Sequence, residues 1–131
     1  MKTLSDISTG LQHVALFTSK YEETIHFYEK LGFEVIAPTV VVSSDTRICF
    51  LQFRDCQIEL VGVTSAPDCE GSWAHLCLNT NDVEEAWTWC RERGYTILDT
   101  EIQQLPLLDR GVRYFMIAGL NGEKIEFNQV L

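Results

Sequence analysis

The strongest constraint on the fold of this chain is an internal repeat. Residues 11 to 36, beginning Leu11-Gln12-His13-Val14-Ala15-Leu16, lie without a gap over residues 73 to 98, beginning Trp73-Ala74-His75-Leu76-Cys77-Leu78, at an offset of 62. Six positions are identical: His13/His75, Leu16/Leu78, Thr18/Thr80, Glu22/Glu84, Glu23/Glu85 and Gly32/Gly94. The rest of each unit follows. At an offset of 66, Arg47-Ile48-Cys49-Phe50-Leu51 lies over Arg113-Tyr114-Phe115-Met116-Ile117, and at 67, Gln57-Ile58-Glu59-Leu60-Val61 lies over Lys124-Ile125-Glu126-Phe127-Asn128. A chain that repeats itself over about 60 residues is built from two copies of one supersecondary unit.

The pattern within a copy names that unit. Leu11 to Thr18 is rich in strand formers, and alternation puts Leu11, His13, Ala15 and Phe17 on one face with Val14 and Leu16 on the other. Ser19 with Glu22, and Asn81 with Glu84, have the spacing of a capping box. Helices are therefore expected over 20–31 and 82–93, burying Tyr21, Thr24, Tyr28 and Leu31, then Val83, Ala86, Trp87 and Cys90. The aromatic residues Tyr28, Trp87 and Trp89 are assigned to packing against a sheet. Gly32 and Gly94 stand where a helix ends in a left-handed residue.

Three strands are expected after each helix: 33–41, 46–53 and 56–62 with Arg54-Asp55 in a tight turn, then 95–102, 112–118 and 123–129 with a hairpin at Asn121-Gly122. The fold class is α+β, as tandem βαβββ modules at 11–62 and 72–129 within one domain of 131 residues. Gly62 to Gly71 reads as the linker, and Thr100 to Gly111 as a long loop.

Composition narrows the partners. A net charge of −9 makes nucleic acid and anionic membrane surfaces poor ones. The five cysteines, Cys49, Cys56, Cys69, Cys77 and Cys90, are odd in number and lack CxxC spacing, which fits small buried hydrophobes in a reducing compartment. Without a signal-peptide pattern or a long apolar run, a cytoplasmic location is expected.

The duplication also pairs chemistry-bearing residues. His13 matches His75 on the first strands, and Glu59 matches Glu126 on the last. Parity turns both glutamates away from Ile58, Leu60, Ile125 and Phe127, hence away from the helices, and the two histidines can share that face. Two imidazoles and two carboxylates form a mixed ligand set for Zn²⁺, Ni²⁺, Co²⁺, Mn²⁺ or Fe²⁺. His26 matches Thr88 and lies on a helix, so it is left as a surface residue.

These features resemble the vicinal oxygen chelate superfamily, the group of glyoxalase I, bleomycin-resistance proteins and extradiol dioxygenases. The motifs are His13, Phe27-Tyr28 before Leu31-Gly32-Phe33, Ile58-Glu59-Leu60, Ala74-His75-Leu76 and Asn121-Gly122-Glu123-Lys124-Ile125-Glu126-Phe127, spanning residues 11 to 129. The resemblance implies curved mixed sheets around a divalent metal, a small-molecule substrate and a homodimer. The order His, Glu, His, Glu is most similar to glyoxalase I, or lactoylglutathione lyase, and implies His13, Glu59, His75 and Glu126 as metal ligands. It further implies Glu126 as the base that moves a proton, with Glu59 able to share that work.

Where glyoxalase I enzymes typically carry an arginine and an asparagine, this chain has Ala15-Leu16-Phe17 and Leu60-Val61-Gly62-Val63. The resemblance therefore does not extend to a glutathione clamp, for which Arg47, Arg110 and Arg113 are the remaining cations considered. An acyl-CoA epimerase-like enzyme, a metal-free binding protein of the bleomycin-resistance type and an iron dioxygenase using three of the ligands are the alternatives.

Overall fold

The computed structural model describes residues 13–41, 45–66, 75–106 and 109–131. The chain divides into two compact units, Met1–Ala66 and Pro67–Leu131. Residues 67–71 of the 62–71 linker, Cys69 included, lie outside the described residues.

The first unit runs β1 (Val14–Thr18), α1 (Tyr21–Leu31), β2 (Glu34–Val41), β3 (Thr46–Phe53) and β4 (Cys56–Gly62). Its sheet has the order β1-β4-β3-β2. The helix carries the chain from β1 to the far edge, and the antiparallel meander brings β4 back to lie parallel to β1, with Ala15 beside Glu59. The second unit repeats the arrangement with β5 (His75–Asn79), α2 (Val83–Glu92), β6 (Gln103–Leu105), β7 (Val112–Ala118) and β8 (Lys124–Val130), in the order β5-β8-β7-β6. Each unit is thus an α+β module of one helix on a four-stranded mixed sheet. Among the described residues, no helix is long and apolar enough to cross a membrane.

Alternation along the strands sends one set of side chains under each helix. In the first unit Tyr28, Phe33, Cys49, Leu51, Ile58 and Leu60 are buried there. The buried hydroxyls of Thr18 on β1 and Thr24 on α1 lie 3.1 Å apart, and Thr24 Oγ1 donates to the Lys20 carbonyl, so these polar groups are partnered inside the core. In the second unit Val83, Cys90, Phe115, Ile117 and Ile125 form the core, with Phe115 stacked on Phe127 and edge-on to Trp87.

Several local expectations are corrected. Neither Ser19 nor Asn81 caps its helix. Lys20 is the α1 N-cap and makes no side-chain cap bond, whereas Asp82 Oδ1 accepts from the backbone N–H of Glu84 and Glu85. A carboxylate one residue nearer the helix outcompetes the Asn81 amide for those donors. The strand expected over 95–102 is reduced to one bridge, Ile97 to Ile117. Asp99 Oδ2 accepts the Met116 N–H at 2.7 Å, taking the place of a ladder carbonyl, and pairing with β7 resumes at Gln103, inside the segment expected to be loop.

Strand β2 holds a bulge between Ile36 and Thr39, where Pro38 lacks a ladder donor and Ala37 takes a positive φ of 50°. The Asn121-Gly122 turn is wider than a two-residue hairpin, since the ladder closes at Ala118 and Lys124. Trp89 is not core: it stacks on Tyr95 and carries the Arg93 guanidinium over its ring.

Candidate metal centre

The face of each sheet turned away from its helix carries a histidine–glutamate pair. In the first unit His13 Nε2 lies 2.8 Å from Glu59 Oε2. In the second, His75 Nε2 lies 2.9 Å from Glu126 Oε2. The parallel pairing of the first and last strands is what makes these contacts. It sets Glu59 beside Ala15 and Glu126 beside Cys77, each two residues beyond its histidine along the neighbouring strand. The buried Ile58, Leu60 and Ile125 fix the parity that leaves the glutamates on the opposite face.

The two pairs differ in their surroundings. Glu59 keeps 24% of its side chain exposed, and the His13 ring meets Phe50 edge-on at 5.6 Å. Glu126 keeps only 9%, and its other oxygen, Oε1, accepts from Asn128 Nδ2 at 2.7 Å. Asn128 was not among the candidates; its displacement of Val61 in the repeat alignment was the available signal. Cys77, expected in an apolar interior, instead lies exposed on this face, where partial desolvation together with the neighbouring Glu126 charge pushes its thiol up to about 11. Cys49 and Cys90 are buried and free, as expected.

Two of the three arginines considered for an anion clamp are committed elsewhere. Arg47 bonds Glu22 and lies over the Tyr21 ring, while Arg113 Nη2 donates to Glu84 Oε1 at 2.8 Å. Both sit at strand positions that face the helices, and they form one repeated ion pair from the third strand of a unit to the first turn of its helix. Arg110 is exposed. His26 is exposed and pairs with Glu29 one turn along α1, a surface role.

A first test of the ligand set is its donor chemistry and spacing. Adjacent ligands at about 2.1 Å from an ion, at right angles to one another, stand about 3 Å apart. The observed 2.8 and 2.9 Å separations are of that size, which is also the length of a direct imidazole–carboxylate hydrogen bond, and imidazole nitrogen with carboxylate oxygen suits a borderline divalent cation. Among the described residues, no three or more His, Cys, Asp or Glu side chains gather as a group that could hold a metal. Among the described residues, each unit by itself brings two such donors into contact.

Two βαβββ units, each with a histidine–glutamate pair on the sheet face away from its helix, define a duplicated α+β fold. The chain belongs to the Glyoxalase/Bleomycin resistance protein/Dioxygenase superfamily, whose family model matches residues 10–127. It is 32% identical over 124 residues to the uncharacterized protein YwbC of Bacillus subtilis (strain 168), covering 91% of this chain and 96% of that one.

Solved structures share the fold. A glyoxalase family protein from Enterococcus faecalis has a TM-score of 0.78 at 22% identity, covering 93% of this chain and 98% of that one. The trypanothione-dependent glyoxalase I of Leishmania major has a TM-score of 0.72 at 22% identity, covering 93% and 87%. TnmS3, an antibiotic binding protein from Streptomyces sp. CB03234, has a TM-score of 0.68 at 23% identity, covering 95% and 98%.

Proposed function

We propose that this chain is a metal-dependent isomerase or lyase of the glyoxalase I kind, acting on a small molecule that carries neighbouring oxygen functions. The observation that carries the reading is the pair of histidine–glutamate contacts at repeat-matched positions, His13–Glu59 and His75–Glu126. His13, Glu59, His75 and Glu126 are the ligands proposed for a divalent ion, Zn²⁺, Ni²⁺, Co²⁺, Mn²⁺ or Fe²⁺. Such an ion supplies a positive charge that makes a proton beside a chelated carbonyl or hydroxyl easier to remove.

The protein's own groups supply the rest. The His13 Nε2–Glu59 Oε2 and His75 Nε2–Glu126 Oε2 contacts bring the two donor atoms of each pair to one place. A carboxylate on the same face, Glu126 or Glu59, takes the proton from one carbon and returns it to the next. Arg47 and Arg113 are held by Glu22 and Glu84, which leaves Arg110 as the cation considered for a glutathione carboxylate.

One observation favours a second reading, a binding protein that sequesters an apolar ligand. Phe17, on the same face of the first sheet as His13, is 52% exposed. TnmS3 is an antibiotic binding protein of this fold.

Metal analysis of protein purified without added metal, followed by titration with Ni²⁺ and Zn²⁺, separates the two. About one ion per chain, with uptake lost or much weakened in Glu126→Gln, is expected, and turnover of hemithioacetals or acyl thioesters would then be screened. Protein that neither contains nor takes up metal would overturn the enzymatic reading and leave the binding one.

A further inference from the structure

The two glutamates occupy matching places in the repeat, yet among the described residues only Glu126 is gripped from both sides. Glu126 Oε2 meets His75 Nε2 at 2.9 Å, and Glu126 Oε1 accepts from Asn128 Nδ2 at 2.7 Å. Only the amide nitrogen of Asn128 can donate to a carboxylate, so this side-chain orientation is the one that makes the bond. The residue matching Asn128 in the first unit is Val61, which has no donor to offer Glu59. Strand parity puts Asn128 on the same face as Glu126 and two residues along β8, while Tyr114 of β7 is its register partner on one side and Asn79 of β5 on the other.

A carboxylate with both oxygens bonded and 9% of its side chain exposed has one available orientation; one with 24% exposed and Val61 in place of the amide has more. Holding a ligand in its bound geometry beforehand removes the ordering cost that binding would otherwise meet. We infer that Asn128 is a positioning residue that fixes the Glu126 carboxylate for metal, making His75–Glu126 the preorganised pair and His13–Glu59 the adaptable one. The inference rests on the metal reading above and goes beyond it by assigning unequal duties to two halves that the repeat makes look alike.

The test is metal affinity, with Co²⁺ and Ni²⁺ as probes. Titration calorimetry on the full chain would compare the unaltered protein with Asn128→Val, which installs the first unit's residue, and with Asn128→Asp. The aspartate keeps the shape but sets a carboxylate oxygen against Glu126 Oε1. Both variants are expected to weaken binding about 10- to 100-fold, the usual consequence of removing a group that orients a ligand. At saturating Co²⁺ their visible absorption bands should also shift, because the Glu126 oxygen is presented differently. A purely structural role would leave that spectrum unmoved.

Unchanged affinity and spectrum in either folded variant, with metal uptake by the unaltered protein intact, would overturn the Asn128 assignment alone. Failure of the unaltered protein to bind either ion would overturn the metal reading and this inference with it.

Discussion

Glu126 and His75 meet at 2.9 Å with the glutamate side chain 9% exposed, so even without metal the histidine is one of the two groups that keep a nearly buried carboxylate partnered. Removing one partner from a buried charged group costs more than the bond itself is worth, about 1–3 kcal/mol. His75→Ala in the presence of a chelator is therefore expected to lower stability by about that amount. Adding Glu126→Gln should recover part of the loss, since an amide tolerates the missing partner better than a charge does. Urea unfolding of both variants measures this, with His26→Ala, on an exposed helix face, as a control expected to change little. Additive losses in the double variant would show that the two side chains are not coupled.

The repeated ion pair has a different scale. Arg113 and Glu84 bond at 2.8 Å, but 31% and 68% of their side chains are exposed. A pair this wet is worth about 0.2–1 kcal/mol in a double-mutant cycle. The coupling between Arg113→Ala and Glu84→Ala should fall in that range at low salt and shrink toward zero by 1 M, where screening acts within about 3 Å. A coupling well above the range, or one indifferent to salt, would contradict a surface role.

Much of this architecture was legible because the repeat supplies its own controls. Matching Glu59 with Glu126 fixed the sheet face both glutamates take, since parity along Ile58-Glu59-Leu60 leaves little choice, whereas the sheet order β1-β4-β3-β2 is visible only in the structure. What escaped was decided by competition between nearby groups for one donor or acceptor. Asn81 and Asp82 both suit a cap, and only geometry shows that Asp82 accepts the Glu84 and Glu85 N–H groups. Asp99 ends a strand by filling the place of a carbonyl at Met116, an effect of tertiary contact that strand propensity at Tyr95 to Leu98 does not encode. The bond from Asn128 to Glu126 lies in a difference between the halves, Asn128 against Val61, which a match of shared residues does not register.

Cys90 makes stability depend on alkaline pH. The residue is 1% exposed, and burial raises its thiol to about 11 from 9.0, with Arg93 pulling weakly the other way. Between those values the unfolded chain has lost the thiol proton and the folded chain keeps it. Folding then binds a proton, so each step upward in pH favours unfolding. Thermal melting is expected to fall steadily from pH 9 to 11, and Cys90→Ala should make that fall shallower while lowering the midpoint at pH 7 through lost packing. The slope will not vanish, because burial also raises Cys49 and Cys56. An unchanged slope in the variant would show that the Cys90 thiol titrates alike in both states.

The helix caps distinguish the two copies most simply. Asp82 Oδ1 accepts from two backbone N–H groups at 3.1 and 3.0 Å at the start of α2, where the helix dipole also favours its charge. In α1 the corresponding place is held by Lys20 with no side-chain cap bond, and the core tie is made instead by Thr24 Oγ1 donating to the Lys20 carbonyl at 2.6 Å. Asp82→Ala should then cost about 1 kcal/mol, as removal of an N-cap does. Ser19→Ala, at the position whose spacing suggested a cap, should change stability by less than about 0.5 kcal/mol. Thr24→Val, which keeps the shape but strips a buried hydroxyl bonded to both Thr18 and Lys20, should cost more than Ser19→Ala. Denaturant midpoints for the three variants give the ordering directly. A loss for Ser19→Ala equal to that for Asp82→Ala would mean that the first helix is capped by the serine after all, and that the two copies start their helices in the same way.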